Sequence, residues 1–267
     1  MNRRRLSKLL LAAVAAGALG ACDPLTRDQG RESLWQAEVD VVALALHAQM
    51  AAQGRAEAFD SLRAHRDAVE ARLGNGAPTP VPAGITRAWS EVRQGADQIL
   101  SHQQAVLGAV DAELAFTAEL PALLVRLDEI GRSLADGHEP RSIEQVRLLG
   151  QSQQLLQRMA GHAARIRAGD ADAISAADRF NRDGTVLARI LGGLQDGDAE
   201  LGMEAITQAE ASMALAQVRQ SYIGIQPGVD ALLASAPALL ETHEAADSLP
   251  AAVESLRSAL QQGREPR

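Results

Sequence analysis

Several things that proteins commonly rely on are scarce or missing in this chain. There is one cysteine, Cys22, in 267 residues, so neither a disulfide framework nor a thiolate metal site can be built. Aromatic residues make up only 2% of the chain, which leaves few large side chains for a globular core. Runs of β-branched residues are absent, and with them the strand signal. Lys8 is the only lysine. There is no Gly-x-Ser-x-Gly elbow for a serine nucleophile. Gly192-Gly193 and Gly197 lack both the strand-then-helix context and the lysine of a phosphate loop, and read as a helix end. The formal charge is -8, so a phosphate backbone would be repelled, and no concentrated basic face offsets this; nucleic acid is excluded as a partner.

Alanine and leucine fill the space that is left. Their propensity points to helix throughout. Alanine at core positions suits close helix–helix contact, where backbones approach and little volume needs filling. Such cores belong to long, thin bundles; deep pockets able to raise a carboxylate pKa for acid catalysis are not expected there. The fold class expected is all-α, an elongated helical bundle, and the function expected is non-enzymatic.

The N-terminus reads as an export signal. Arg3, Arg4, Arg5 and Lys8 precede an uncharged run from Leu9 to Leu19. That run is too short to span a bilayer, which takes about 20 residues, but suits a signal-peptide core. Leu19-Gly20-Ala21-Cys22 then has the form of a lipobox. The expectation is a lipoprotein signal peptide over 1–21, lipid on Cys22 and a short tether over 22–30. Cleavage would move the formal charge from -8 to -12, since it removes four basic residues and no acidic one. Asp23 favours the inner membrane over the outer, and the compartment expected is the periplasm.

Beyond the tether, helices are expected over 31–53, 56–73, 84–135, 142–168 and 171–194, followed by a long helix from about Thr207 that Pro227 and Pro237 bend or break. Gly74 to Pro82 is the clearest loop. The third segment is the most patterned. Apolar residues recur from Ile85 through Trp89, Val92, Ala96, Ile99, Val106, Val110, Leu120, Leu124 and Leu127 to Leu134 at alternating spacings of three and four. Unbroken, that helix would be roughly 75 Å long at 1.5 Å per residue. Pro121 reads as a kink within it, because the apolar phase survives the proline. Gln103 and Glu113 fall in the same register, as a wetter layer, a register device or a ligand-facing stretch.

The two halves resemble each other. His47-Ala48 stands seven residues before Gly54, and His162-Ala163 seven before Gly169; Arg66-Asp67 and Arg182-Asp183 follow. The spacing of Trp89, Val92, Asp97 and Ile99 returns as Tyr222, Ile225, Asp230 and Leu232. Two related helical modules are expected, 31–140 and 141–262, sharing long helices, with a frayed end over 263–267. Trp89 and Tyr222 are the natural probes of function. Core packing is the role expected of them, with a binding anchor as the alternative. His47, His65 and His162 read as half-exposed or solvated helix residues, since no converging metal-ligand set accompanies them. No cofactor is implied.

Trp89 to Leu107, Ala177 to Gly202 and Ile225 to Ala246 resemble the periplasmic sensing region of the PilJ family, the methyl-accepting chemotaxis transducers of type IV pilus systems. The resemblance covers most of residues 40–260. It implies a helical-bundle input domain whose ligand is a small solute, or whose partner is a pilus or chemosensory protein. The chain departs from the family in its sensor box, an arginine-rich stretch on the first helix of a module: Val39 to Gln53 holds no arginine, and the second copy keeps only Arg158. The partners expected are a membrane reached through Cys22, such a protein, and a second copy in a homodimer. The alternative is a scaffolding lipoprotein of the envelope with no small ligand.

Overall fold

The heptad pattern becomes two long antiparallel helical paths. The computed structural model describes residues 24–74, 77, 81–136, 140–200 and 202–264. The signal peptide, Cys22, Asp23 and residues 265–267 lie outside the described residues. Among those described, the helices are α1 (Pro24–Ala52), α2 (Ala56–Leu73), α3 (Ala83–Ser101), α4 (Gln103–Asp136), α5 (Pro140–Ala168), α6 (Ala173–Asp196) and α7 (Ala209–Arg264). Both α1 and α5 open on proline, whose missing amide costs nothing in the first turn. Helix α1 therefore begins at Pro24, inside the stretch expected to be a tether.

The first long path is α3 followed by α4. It breaks at His102, where an unbroken helix was expected, and continues through Pro121 inside α4, as expected. His102 takes φ -95°, ψ 5°, and its amide turns to the Ile99 and Leu100 carbonyls, short of the helical partner four residues back. The second path is α7, 56 residues long and so about 84 Å, which runs unbroken through Pro227, Pro237 and Pro250. All three prolines are exposed. Each lacks an amide and so frees the carbonyl four residues earlier. Pro250 frees that of Ala246, which accepts a hydrogen bond from Gln49 Nε2 at 2.7 Å instead.

Contacts between the two paths fix their direction. Gly263 lies beside Ile85, Gly95 beside Leu249, His102 beside Thr242, Gly228 beside Ala112, and Gln208 beside Ser133. Two helical hairpins complete the structure. Helices α1 and α2 pack on α3 and the C-terminal half of α7; α5 and α6 pack on α4 and the N-terminal half of α7. The result is an elongated all-α bundle of two related four-helix layers that share the long paths. The hairpin tips meet the paths near mid-length. There Gly54 and Gly169 both take positive φ, 82° and 63°, and Gly169 lies against the backbone of Leu239. The start of α1 and the end of α7 sit together at one end, where Gly263 approaches Leu34.

Burial corrects one expectation. From Ile85 to Val106 the predicted seam is the buried one, Gln103 apart, and Leu127 and Leu134 keep it further along, but the other buried residues of α4 are Ala109, Ala112, Phe116, Leu123 and Ile130. Val110, Glu113, Thr117, Leu120, Leu124 and Gly131 lie half-buried at the edge of that stripe. A helix packed between α5 and α7 buries a face wider than one a/d seam. The small Ala109 and Ala112 carry too little side chain to announce its centre.

Candidate functional site

Polar groups enter the bundle interior at matching places in the two layers. In the first, Asp40 on α1 is buried at 7% exposure and faces α2. Its Oδ2 accepts a hydrogen bond from Arg72 Nη1 at 2.6 Å, and its Oδ1 lies 3.1 Å from His65 Nδ1. The His65 ring stacks on that of His47 with centroids 5.4 Å apart. In the second layer the roles change sides. Asp183 on α6 is buried and accepts from Arg158 Nε at 3.0 Å, with His162 Nε2 at 3.6 Å. Each hairpin is thus tied by one buried carboxylate, one arginine and one histidine. Breaking such a pair would strand a charge away from water.

The repeat register read from sequence is corrected here. It paired Asp67 with Asp183, yet Asp67 is exposed and Asp183 buried. The residue that faces His47 is His65, and the residue that faces His162 is Asp183. His65 is accordingly not solvated; its side chain is 29% exposed and engaged on two sides. Burial pushes the His162 imidazole below its ordinary pKa, and Arg165, Arg179 and Arg158 add to this against the opposing pull of Asp183. The Nδ1 atoms of His47 and His162 are buried without a hydrogen-bond partner.

The residues singled out in the sequence do not converge. Trp89 is buried in the first layer, and its indole N–H donates to Glu70 Oε2 at 2.6 Å. Tyr222 is buried in the second layer, its hydroxyl 3.4 Å from the Gly184 carbonyl, and burial raises its pKa. A methyl group added at Gly184, inside α6, would meet that hydroxyl at 3.1 Å. Gln103 accepts from Arg63 Nη2 at 2.8 Å. Glu113 pairs with Arg167 across α4 and α5. Arg158 is spent on Asp183. Cys22 lies outside the described residues. Sequence reasoning missed Asp40, Glu70 and Arg72 and gave Asp183 only as a repeat marker, because a charged residue is singled out only by what packs around it.

An open depression of about 570 Å³ runs along the outer side of the α3–α4 junction, lined by Leu100, Gln103, Gln104, Leu107 and Asp111 among others. It is a surface feature, not an enclosed chamber. Among the described residues no group of three or more His, Cys, Asp or Glu is placed to hold a metal ion. One described helix, α7, is long and apolar enough to cross a membrane by length and composition. That helix is also the one shared by both bundle layers.

In each layer a buried carboxylate is thus matched by an arginine of the neighbouring helix. No family model matches the sequence. The chain is 29% identical to Protein PilJ of Pseudomonas aeruginosa over 220 residues, covering 77% of this chain and 32% of that one. It is 27% identical to methyl-accepting chemotaxis AlkN of Alcanivorax borkumensis over 233 residues, covering 84% of this chain and 34% of that protein. The chain thus spans about a third of the length of the curated relatives it matches. The relation is a distant homology to proteins of the chemotaxis-receptor type.

Proposed function

We propose that this chain is an extracytoplasmic sensory module, held to the membrane by lipid on Cys22, that binds a small solute or a pilus or chemosensory protein. The observation that carries the reading is the reach of the similarity, which spans both bundle layers and stays within about a third of each receptor's length. The module borders 31–140 and 141–262 remain part of the proposal, as does a periplasmic location at the inner membrane. Trp89 and Tyr222 serve as packing residues here, while the depression beside Gln103 offers an accessible surface of mixed character on which Gln104 and Asp111 are exposed.

A scaffolding role without a ligand is the second reading. It is favoured by the interior itself, where Ala37, Ala48, Ala51, Ala96 and Ala109 are buried and the carboxylates of Asp40 and Asp183 are matched by arginine. Capture from solubilised membranes with the full lipidated chain, followed by mass spectrometry, separates the two. Recovery of a pilus or chemosensory protein, lost in the variant carrying Gln104→Arg and Asp111→Arg, supports the sensory module. Recovery of envelope structural proteins alone supports the scaffold.

A further inference from the structure

The α3–α4 path breaks at Ser101-His102-Gln103, where neither proline nor glycine stands to cause it. A break of that kind comes from side chains that intrude on the helical bonds. Ser101 Oγ donates to the Gln98 carbonyl at 2.7 Å, the acceptor that the His102 amide would use in an unbroken helix. Gln103 accepts from Arg63 of α2, which ties the break to the first layer. His102 ties it to α7. Its Nδ1 lies 3.2 Å from Thr242 Oγ1, and its Nε2 lies 3.5 Å from Glu241 Oε2.

Hydrogen-bond direction decides what this ring can do. Thr242 is fully buried, and its hydroxyl oxygen stands 2.6 Å from the Ala238 carbonyl oxygen, so its single hydrogen goes to that acceptor. Toward His102 the hydroxyl can only accept, and Nδ1 must therefore carry a proton. In the neutral ring, Nε2 then holds a lone pair that faces the Glu241 carboxylate. In the imidazolium it holds a proton, and both contacts run from donor to acceptor. We propose that His102 is a proton-operated latch: doubly protonated, it fastens the α3–α4 break to Thr242 and Glu241 of α7, and neutral, it releases Glu241. Leu100, Ser101, Gln103 and Gln104 line the outer depression from both sides of His102, so its shape follows the latch.

The other titratable groups on the helices around the break are engaged elsewhere or stand apart from the ring. Arg63 of α2 is bound to Asp60, and Arg66 to Asp67 and to Asp97 of α3. From Val41 to Gly54, α1 brings only His47, which stacks on His65. Arg167 of α5 pairs with Glu113 of α4, and Asp111 of α4 lines the depression. His243 of α7 lies beside Gly169. Glu241 is the acidic group that the ring addresses. This inference stands apart from the sensory reading, since neither a ligand nor a signalling partner enters it.

Nitrogen-15 spectra of the imidazoles in the detergent-solubilised full chain test the hydrogen-bond direction, with the His102 signals identified by their loss in His102→Gln. At pH 8 the neutral ring should be the Nδ1–H tautomer, and an Nε2–H ring would overturn the proposal. A double-mutant cycle of His102→Gln and Glu241→Ala, read by urea denaturation, tests the latch itself. At pH 5.5 the coupling should shift the folding equilibrium about two- to fivefold, as suits a partly exposed ion pair, and at pH 8 it should vanish or reverse. Amide exchange over residues 99–107 should be slower in the wild type than in Glu241→Ala by about the same factor at pH 5.5, and no slower at pH 8. Comparing the two chains at one pH cancels the intrinsic effect of pH on exchange. Coupling absent at pH 5.5, or equally strong at both pH values, would overturn the latch and leave His102 a structural prop. So would exchange that differs equally at both.

Discussion

Gln49 donates from Nε2 to the carbonyl of Ala246 at 2.7 Å, across 197 positions of sequence, and so occupies the acceptor that Pro250 leaves without an amide. A glutamine on α1 thereby helps a proline-bearing helix continue. Gln49→Ala should cost about 1 kcal/mol, the net worth of such a bond. With Pro250→Ala in the background, residue 250 regains an amide that can bond the Ala246 carbonyl, and the loss at Gln49 should shrink. A double-mutant cycle by urea denaturation measures this, and additive losses would show that the two are uncoupled.

Trp89 combines apolar burial with a polar tether, its indole reaching Glu70 Oε2 at 2.6 Å. Trp89→Ala should lower stability by about 3–5 kcal/mol, seen as a large drop in melting midpoint. An unchanged midpoint with weakened partner capture would move Trp89 from the core to a binding surface.

Gly169 is both left-handed, at φ 63°, and pressed against α7, where an added methyl would lie 2.6 Å from the Leu239 carbonyl oxygen. Gly169→Ala should destabilise by more than the roughly 1–2 kcal/mol that a left-handed backbone alone costs a non-glycine residue. Gly108→Ala, in open space, is the control and should be neutral or slightly stabilising.

Burial lowers the pKa of His162 in the folded chain, so the unfolded chain binds its proton first as pH falls. Stability from this group is present above its ordinary value of about 6.5 and declines as pH drops from there toward the lowered value. His162→Leu should flatten that part of the melting-midpoint profile. A profile unchanged below pH 6.5 would show that Asp183 compensates the burial.

Cys22→Ala should abolish acylation and release the protein into the soluble fraction. Mass spectrometry of the wild-type N-terminus checks this, and an unmodified Cys22 would end the lipoprotein reading.

Composition and periodicity alone determined the helical class, since alanine and leucine favour helix and the apolar residues recur at helical spacing. The α2 boundaries, the turns at Gly54 and Gly169, and the burial of Trp89 and Tyr222 were also legible, because each rests on a local pattern or on a large side chain. Tertiary structure decided the rest. Whether three prolines break α7 depends on where each freed carbonyl finds itself, and Gln49 lies far away in sequence. Which face of α4 is buried depends on two neighbours at once, α5 and α7, while periodicity reports only an average phase. Asp40 and Asp183 look like any other acidic residue until α2 and α5 bring arginine and histidine to them. Pairings of this kind are set by packing between helices, and no local pattern encodes them.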